Sequence, residues 1–215
     1  MTIALRDREP LASLLLYRGL KWSVICPLLL GYLKGKIYGL EHIPAKGPAI
    51  VVSNHASYFD PPLLASGMGR PVAFMAKEEL FHVPLLGPII RLYGAYPVKR
   101  GAGDRGAIRA ALTALEEGWL VGVFLEGTRT PDARIYSPKL GAAMIAAKAQ
   151  VPLIPVSLWG TEHILPSGSA FPRPVPITVR IGQPIAPPPV VKKESLEAVT
   201  NTCQTVIHDL HDLGR

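Results

Sequence analysis

Short apolar runs alternate with longer stretches of helical periodicity along most of the chain. The runs Ala49 to Val52, Leu120 to Leu125 and Leu153 to Trp159 are apolar and rich in β-branched residues, which is typical of buried strands. Asp104 to Gly118 places its apolar residues three and four positions apart, which predicts an amphipathic helix that Asp104 caps and Gly118 ends. The same spacing recurs over 196–210 and predicts a C-terminal helix.

Shorter segments of both kinds fill the intervals. Further strands are predicted at Lys36 to Leu40, Pro71 to Ala76, Tyr96 to Val98 and Ile177 to Ile181, and further helices at Pro61 to Gly67, Leu85 to Tyr93 and Pro138 to Gln150. Because strands and helices alternate, we expect the α/β class, with a single domain whose largely parallel central sheet is flanked by helices.

Residues 1–34 differ from this pattern. Their longest uncharged run, Trp22 to Leu33, has 12 residues, whereas a membrane-spanning helix needs about 20. Pro27 and Gly31 interrupt the run, and no cleavage site typical of a signal peptide follows it. Basic residues outnumber acidic ones around it, so we predict an apolar helical segment lying in an anionic membrane interface, with packing on the core as the alternative. Residues 35–215 form the second predicted unit.

Composition also favours a membrane surface as a partner. The chain is 48% hydrophobic and 18% charged, its mean hydropathy is +0.25, and 23 lysines and arginines against 16 acids give a formal charge of +7. A basic surface suits anionic lipids, anionic substrates or nucleic acid. Nucleic acid is not expected, because no basic run with interleaved aromatic residues is present. Cys26 and Cys203 are far apart and are expected to be reduced thiols.

The end of the first buried strand carries the best candidates for catalysis. His55 follows this strand, and Asp60 stands five positions later, before Pro61-Pro62. A histidine can act as a general base near neutral pH, and a loop can bring against it a carboxylate that fixes its tautomer. Alternatively, Asp60 caps the helix that begins at Pro61, and His55 is only a hydrogen-bonded loop residue. A metal pair is not favoured, because no third ligand lies at a suitable spacing.

A second strand end carries candidates for anion binding. Glu126-Gly127-Thr128-Arg129 brings together a carboxylate, a flexible backbone, a hydroxyl and a guanidinium. Gly127 and Thr128 offer amides and a hydroxyl to a phosphate, while Glu126 can orient Arg129 or a substrate hydroxyl. The alternative is a salt-bridged turn without a ligand.

Other polar residues are weaker candidates. Arg100 follows a third strand and is suited to hold a phosphate through two hydrogen bonds, with Lys99 assisting as a point charge. Lys77 also follows a strand, and it either lines the same cleft or is an ordinary surface lysine. His208-Asp209-Leu210-His211-Asp212 has donors that could bind a metal, but its place on an amphipathic helix predicts a solvated face.

The chain resembles the glycerolipid acyltransferase family in four motifs that follow the family's order over about residues 35–185. They are Asn54-His55-x4-Asp60, Gly94 to Arg100, Phe124 to Arg129 and Val151 to Val156. The second has one extra residue before its arginine, and the third has Leu125 where the family usually has proline. The resemblance implies that His55 and Asp60 are catalytic. The substrate-binding residues that it implies are Asn54, Lys99, Arg100, Glu126, Gly127, Thr128 and Arg129.

The resemblance also implies a reaction and its partners. The expected donor is an acyl thioester, acyl-CoA or acyl-carrier protein, and the expected acceptor is the free hydroxyl of 1-acylglycerol 3-phosphate, which becomes phosphatidic acid in phospholipid biosynthesis. No permanently bound cofactor and no metal are expected. Alternative acceptors are glycerol 3-phosphate and another lysolipid, such as lyso-ornithine lipid. The alternative of another class is a basic peripheral membrane-binding protein without turnover. The expected location is a membrane surface facing the cytoplasm, with peripheral or monotopic attachment.

Overall fold

A computed structural model describes Glu9 and residues 11–84, 86–92, 95–98, 104–165 and 171–215. The strands over these residues are β1 Lys36–Tyr38, β2 Ala49–Ser53, β3 Val72–Lys77, β4 Tyr96–Val98, β5 Leu120–Phe124, β6 Leu153–Trp159 and β7 Thr178–Ile181. They form one sheet in the order β1-β7-β6-β2-β5-β3-β4. Among the neighbouring pairs of described strands, β6 and β7 are antiparallel and the others are parallel, which confirms the predicted sheet.

Helices cover both faces of this sheet. They are α1 Leu11–Leu20, α2 Asp60–Gly67, α3 Leu86–Leu92, α4 Asp104–Glu116, α5 Gly141–Ala149 and α6 Lys193–Asp212. On one face, α4, α5 and α6 bury Ala111, Ala142 and Cys203 against alternate residues of the central strands. On the other face, α2 buries Leu64 and Ala65 against the intervening residues. The predicted flanking helices are therefore confirmed, although α5 begins later than the predicted Pro138, at Gly141.

The carboxyl ends of the central strands meet at one edge of the sheet, which we call the carboxyl edge. Ser53, the last residue of β2, pairs with Phe124 in β5 and with Val156 in β6. Lys77 ends β3, which runs parallel to β5. The loops after β2 and β5 therefore emerge side by side, at the position where open parallel sheets place their ligand sites.

The N-terminal segment packs on the α2 side of the sheet. Beyond α1 it continues as π-helical turns over Lys21–Ile25 and Pro27–Tyr32. Leu29 and Leu33 are buried in a cluster with Leu63 of α2. Elsewhere the segment exposes large apolar side chains, among them those of Leu11, Leu15 and Trp22. None of the described helices is long and apolar enough to cross a membrane. The segment thus contacts the core, and its exposed apolar side chains are compatible with the membrane contact, which stays a prediction.

This segment runs from the amino ends of the central strands to their carboxyl edge. Arg70, which precedes β3, binds Glu9 through Nε and Nη2 at 2.9 and 2.6 Å and donates to Gly118 O, just before β5. At the other end Lys36 pairs with Thr178, which pairs in turn with the last residue of β6. The segment therefore starts at the edge opposite the loops that follow β2 and β5, and it ends at the carboxyl edge.

Candidate active site

His55 and Asp60 form a hydrogen-bonded pair at the carboxyl edge. Asp60 Oδ2 lies 2.7 Å from His55 Nδ1 and accepts the amides of Ala56 and Ser57, each also at 2.7 Å. The Asp60 side chain is fully buried, whereas that of His55 is 17% exposed. An ionised carboxylate can only accept, so Nδ1 carries the proton of this contact and Nε2 points its lone pair elsewhere.

The predicted helix cap at Asp60 is wrong, because the side chain turns away from the helix. The cap residue of α2 is Phe59, and Asp60 is the first helical residue. Pro61 and Pro62 follow, and neither has an amide hydrogen to offer this carboxylate. Asp60 instead binds the loop that precedes it and brings the imidazole within hydrogen-bonding reach.

Two residues of the β5 region hold His55 in place. The Phe124 ring stacks on the imidazole with a centroid distance of 3.9 Å and an interplanar angle of 14°. The Thr130 amide donates to His55 O at 2.8 Å, and its hydroxyl lies 3.2 Å from the same oxygen. Neither residue was among the site residues predicted from the sequence. Phe124 was detectable, because an aromatic residue ends the strand that pairs with β2.

Asn54 is a structural residue rather than a ligand contact. It is 1% exposed. Its Nδ2 donates to Ala133 O at 2.9 Å and to Leu158 O at 2.8 Å, and its Oδ1 accepts the amide of Leu158 at 2.8 Å. Both amide hydrogens and the oxygen are therefore occupied by protein. The structure corrects the predicted substrate contact: Asn54 fixes the start of the catalytic loop against β6.

Glu126 and Gly127 also build the loop. Glu126 Oε2 accepts the amides of Tyr136 and Ser137, both at 2.8 Å, so it anchors the returning chain and does not orient Arg129. The Gly127 amide donates to Phe124 O at 3.0 Å, so this amide is not free for a phosphate. Gly127 has a φ of +73°, a conformation that favours glycine. The exposed part of the motif is Gly127-Thr128-Arg129.

Leu125 stands where the family motif usually has proline, and its contacts fit the loop after β5. Its amide donates to Ser53 O at 3.0 Å, which adds one hydrogen bond to the pairing of β2 and β5 that a proline could not make. Its side chain is 1% exposed and belongs to the main core cluster. The substitution therefore leaves the turn in place and ties it more firmly to the catalytic loop.

Arg129 contacts the catalytic loop through Tyr58. Its Nη2 donates to the Tyr58 hydroxyl at 2.9 Å, and its Cζ lies 3.6 Å from the centre of the ring. Lys77 has its backbone at the carboxyl edge, and its side chain is outside what the structure describes. Lys99 and Arg100 lie outside the described residues, so their predicted phosphate contacts stay predictions.

Helix α6 holds the loop after β5 from outside the site. His208 Nε2 accepts the Ile135 amide at 3.1 Å, and Gln204 Nε2 donates to Ile135 O at 2.7 Å. Arg134 forms an ion pair with Asp212 beside these contacts. The end of α6 therefore fixes the segment whose other contacts reach Asn54 and Glu126.

The solvated face predicted for residues 208–212 is wrong for its two histidines. His211 is buried and His208 accepts a backbone amide. Burial, followed by the charge of Arg134, lowers the pKa of both imidazoles from 6.5. The unfolded state therefore binds protons more readily, so this contribution to stability is complete above about pH 6.5 and is lost as the pH falls. Over the described residues, no cluster of three or more His, Cys, Asp or Glu side chains could hold a metal.

The two cysteines are unpaired, as expected. Burial raises the pKa of the Cys203 thiol to about 12, so Cys203 stays protonated and is unsuited to act as a nucleophile. The half-buried His55 paired with the buried Asp60 carboxylate, at the carboxyl edge of a mostly parallel sheet, is an arrangement suited to general base catalysis in an α/β domain.

Comparison with known proteins assigns this domain to a family. A family model described as Acyltransferase matches residues 34–159, which is more than half of the chain. The chain therefore belongs to the acyltransferase family. A solved structure agrees: the 1-acyl-sn-glycerophosphate acyltransferase PlsC of Thermotoga maritima is 30% identical, with a TM-score of 0.75 over 91% of this chain and 78% of that one.

Sequence relatives carry similar names. A chloroplastic 1-acyl-sn-glycerol-3-phosphate acyltransferase of Arabidopsis thaliana is 37% identical over 64% of this chain. The chain spans only 39% of the length of that relative and 41% of a similar Brassica napus protein. A 1-acyl-sn-glycerol-3-phosphate acyltransferase of Bacillus subtilis is 29% identical over 82% of this chain and 88% of its own length.

Proposed function

We propose that the protein transfers an acyl group from an acyl thioester to the free hydroxyl of 1-acylglycerol 3-phosphate, which forms phosphatidic acid for phospholipid biosynthesis. The observation that carries this proposal is the 2.7 Å contact of His55 Nδ1 with the buried Asp60 carboxylate. It supplies a base whose second nitrogen faces away from the carboxylate. The names of the similar proteins favour this acceptor. Acyl-CoA or acyl-carrier protein serves as donor, and no resident cofactor takes part.

The chemistry needs one base and two bound substrates. His55 Nε2 takes the proton of the acceptor hydroxyl while that oxygen attacks the thioester carbonyl. The tetrahedral intermediate collapses, the carbon–sulfur bond breaks, and the leaving thiolate takes the proton back from the imidazolium. Asp60 stabilises the imidazolium between these steps, as a carboxylate does in a catalytic triad. General base catalysis of this kind contributes about 10²–10⁴-fold, and holding both substrates in place contributes further.

The acceptor phosphate is proposed to bind beside this base. Arg129 is exposed and contacts Tyr58, three positions after His55 in the same loop, so the loop that carries the base also holds a permanent positive charge. Arginine holds phosphate through two parallel hydrogen bonds. Thr128, Lys77, Lys99 and Arg100 remain proposed contributors to the same anion site. A lyso-ornithine lipid offers this charge a carboxylate instead of a phosphate, so it brings less negative charge to the site, which is the argument against that acceptor.

An acceptor panel tests the function directly. Purified full-length protein receives a labelled acyl thioester, as acyl-CoA or acyl-carrier protein, together with 1-acylglycerol 3-phosphate, glycerol 3-phosphate or lyso-ornithine lipid. We expect acylation of 1-acylglycerol 3-phosphate and its loss in a folded His55→Ala variant. Acylation of another acceptor would reassign the substrate. Vesicle binding without any acylation would favour a membrane-binding protein without turnover.

We further propose that the exposed side of the N-terminal segment attaches the protein to the cytoplasmic surface of an anionic membrane. Leu11, Leu15 and Trp22 expose large apolar side chains on a segment that ends at the carboxyl edge. Apolar side chains beside basic residues bind the headgroup region of anionic bilayers. The membrane would then lie against the α1 side of the domain, and the segment continues from there to the carboxyl edge, where a lipid acceptor must arrive.

Vesicle sedimentation tests this attachment. The triple variant Leu11→Ser, Leu15→Ser, Trp22→Ser should pellet less with anionic vesicles and lose activity on bilayer substrate. It should keep its activity on short-chain substrate in detergent, because the replaced side chains do not line the site. Leu213→Ser, which changes an exposed leucine in the C-terminal region, is the matched control. Equal pelleting of the triple variant and the control would refute the proposal.

A further inference from the structure

Tyr58 is an exposed tyrosine inside the catalytic loop, between His55 and Asp60. Its side chain is 69% exposed. The Arg129 guanidinium covers it, with Cζ 3.6 Å from the ring centre, and Nη2 donates to its hydroxyl at 2.9 Å. Two separate interactions, a cation–π contact and a hydrogen bond, therefore join one side chain to the other.

The contact leaves Arg129 free to bind an anion. A guanidinium has five N–H donors in one plane, and its cation–π attraction to a ring is not a hydrogen bond that occupies one of them. The Tyr58 hydroxyl takes one hydrogen, so the rest of the plane remains available to a phosphate. Arg129 forms no ion pair within the described residues, which leaves its charge for a ligand. Tyr58 thus holds the side chain without competing for it.

We propose that Tyr58 is a positioning residue that fixes the distance between the base and the anion site. This inference rests on the proposed function. Because Tyr58 and His55 share one short loop and Asp60 closes it, Arg129 is held at a set separation from the base. The site then selects acceptors whose phosphate lies at a matching distance from the free hydroxyl. The 2-acyl isomer, whose free hydroxyl is one carbon further from the phosphate, fits less well.

Steady-state kinetics with soluble short-chain acceptors test the inference. Exposed cation–π contacts and single hydrogen bonds are weak, so Tyr58→Ala should raise the acceptor KM by about five- to thirtyfold. Tyr58→Phe keeps the ring and should raise it by about two- to fivefold. The donor KM should stay unchanged, and the thermal midpoint should fall by only a few degrees. The kcat/KM ratio between the 1-acyl and 2-acyl isomers should fall in Tyr58→Ala.

A double-mutant cycle separates positioning from loop packing. In an Arg129→Ala background, Tyr58→Ala should add almost nothing to the acceptor KM, because its partner is gone. Tyr38→Ala is the matched control: Arg180 covers Tyr38 at 4.5 Å on edge strand β1, which two other strands separate from β2. That variant should leave the acceptor KM unchanged.

Three results would overturn the inference. The first is an additive cycle, and the second is a fall in kcat with an unchanged acceptor KM. The third is an equal rise of acceptor and donor KM. If the wild-type protein acylates no phosphate-bearing acceptor, the proposed function fails and this inference fails with it. If the wild type does so and the cycle is additive, only the role of Tyr58 is refuted.

Discussion

Replacing Asp60 with asparagine removes the charge of this carboxylate while keeping its shape. In the native protein Oδ2 accepts three hydrogen bonds, while Oδ1 is buried without a partner among the described residues. The asparagine oxygen can keep the three contacts of Oδ2. Its amide group then occupies the unpartnered position, which costs about 1–3 kcal/mol of stability. Asp60→Ala instead leaves the amides of Ala56 and Ser57 without an acceptor, at about 2–4 kcal/mol.

The two Asp60 substitutions should affect activity differently from stability. Without the carboxylate charge, the imidazolium formed during proton transfer loses its counterion, so both variants should lose about 10²–10⁴ in kcat. That loss corresponds to about 3–5.5 kcal/mol of transition-state stabilisation. In a chain of this size 1 kcal/mol shifts the thermal midpoint by about 2–4 °C, so Asp60→Asn should remain folded at 25 °C.

The assay measures initial acylation rates at saturating substrate together with thermal midpoints. Ser57→Ala is the matched control: it removes the hydroxyl that accepts the Phe59 amide at 3.3 Å, so it loosens the same loop without touching the charge. We expect this control to keep most of its kcat. An Asp60→Asn rate within tenfold of wild type would refute the role of the charge, and an equal loss in Ser57→Ala would attribute the effect to loop geometry.

Three further predictions address the support of the site. Asn54→Ala removes four buried hydrogen bonds and should lower stability by about 2–4 kcal/mol, as measured by urea unfolding. Gly122→Ala places a Cβ 2.2 Å from the Phe74 ring and should cost about 1–3 kcal/mol, which thermal unfolding would detect. His208→Gln keeps an acceptor for the Ile135 amide but cannot titrate, so its stability should fall less than that of wild type between pH 7 and pH 5.

The sequence alone determined the elements and their order. Apolar runs such as Ala49 to Val52 can only be buried, and the helical spacing of Asp104 to Gly118 gives one apolar face, so both define local structure without reference to distant residues. The sequence also indicated that His55 and Asp60 meet, because only a short loop separates them. It could not show on which side of its backbone Asp60 would turn, and the predicted helix cap was therefore wrong.

The tertiary structure decided what each polar side chain does. The family resemblance predicted that Asn54 contacts the substrate. In the structure its side chain instead binds Leu158, which lies 104 positions away in the chain. The contact of Tyr58 is with Arg129, which lies 71 positions away. Hydrogen bonds and ring contacts form wherever folding brings two groups within a few ångströms. The order of the strands in the sheet decides which groups come that close. Periodicity records which residues are buried, but it carries no information about which distant group satisfies a buried or half-buried polar atom.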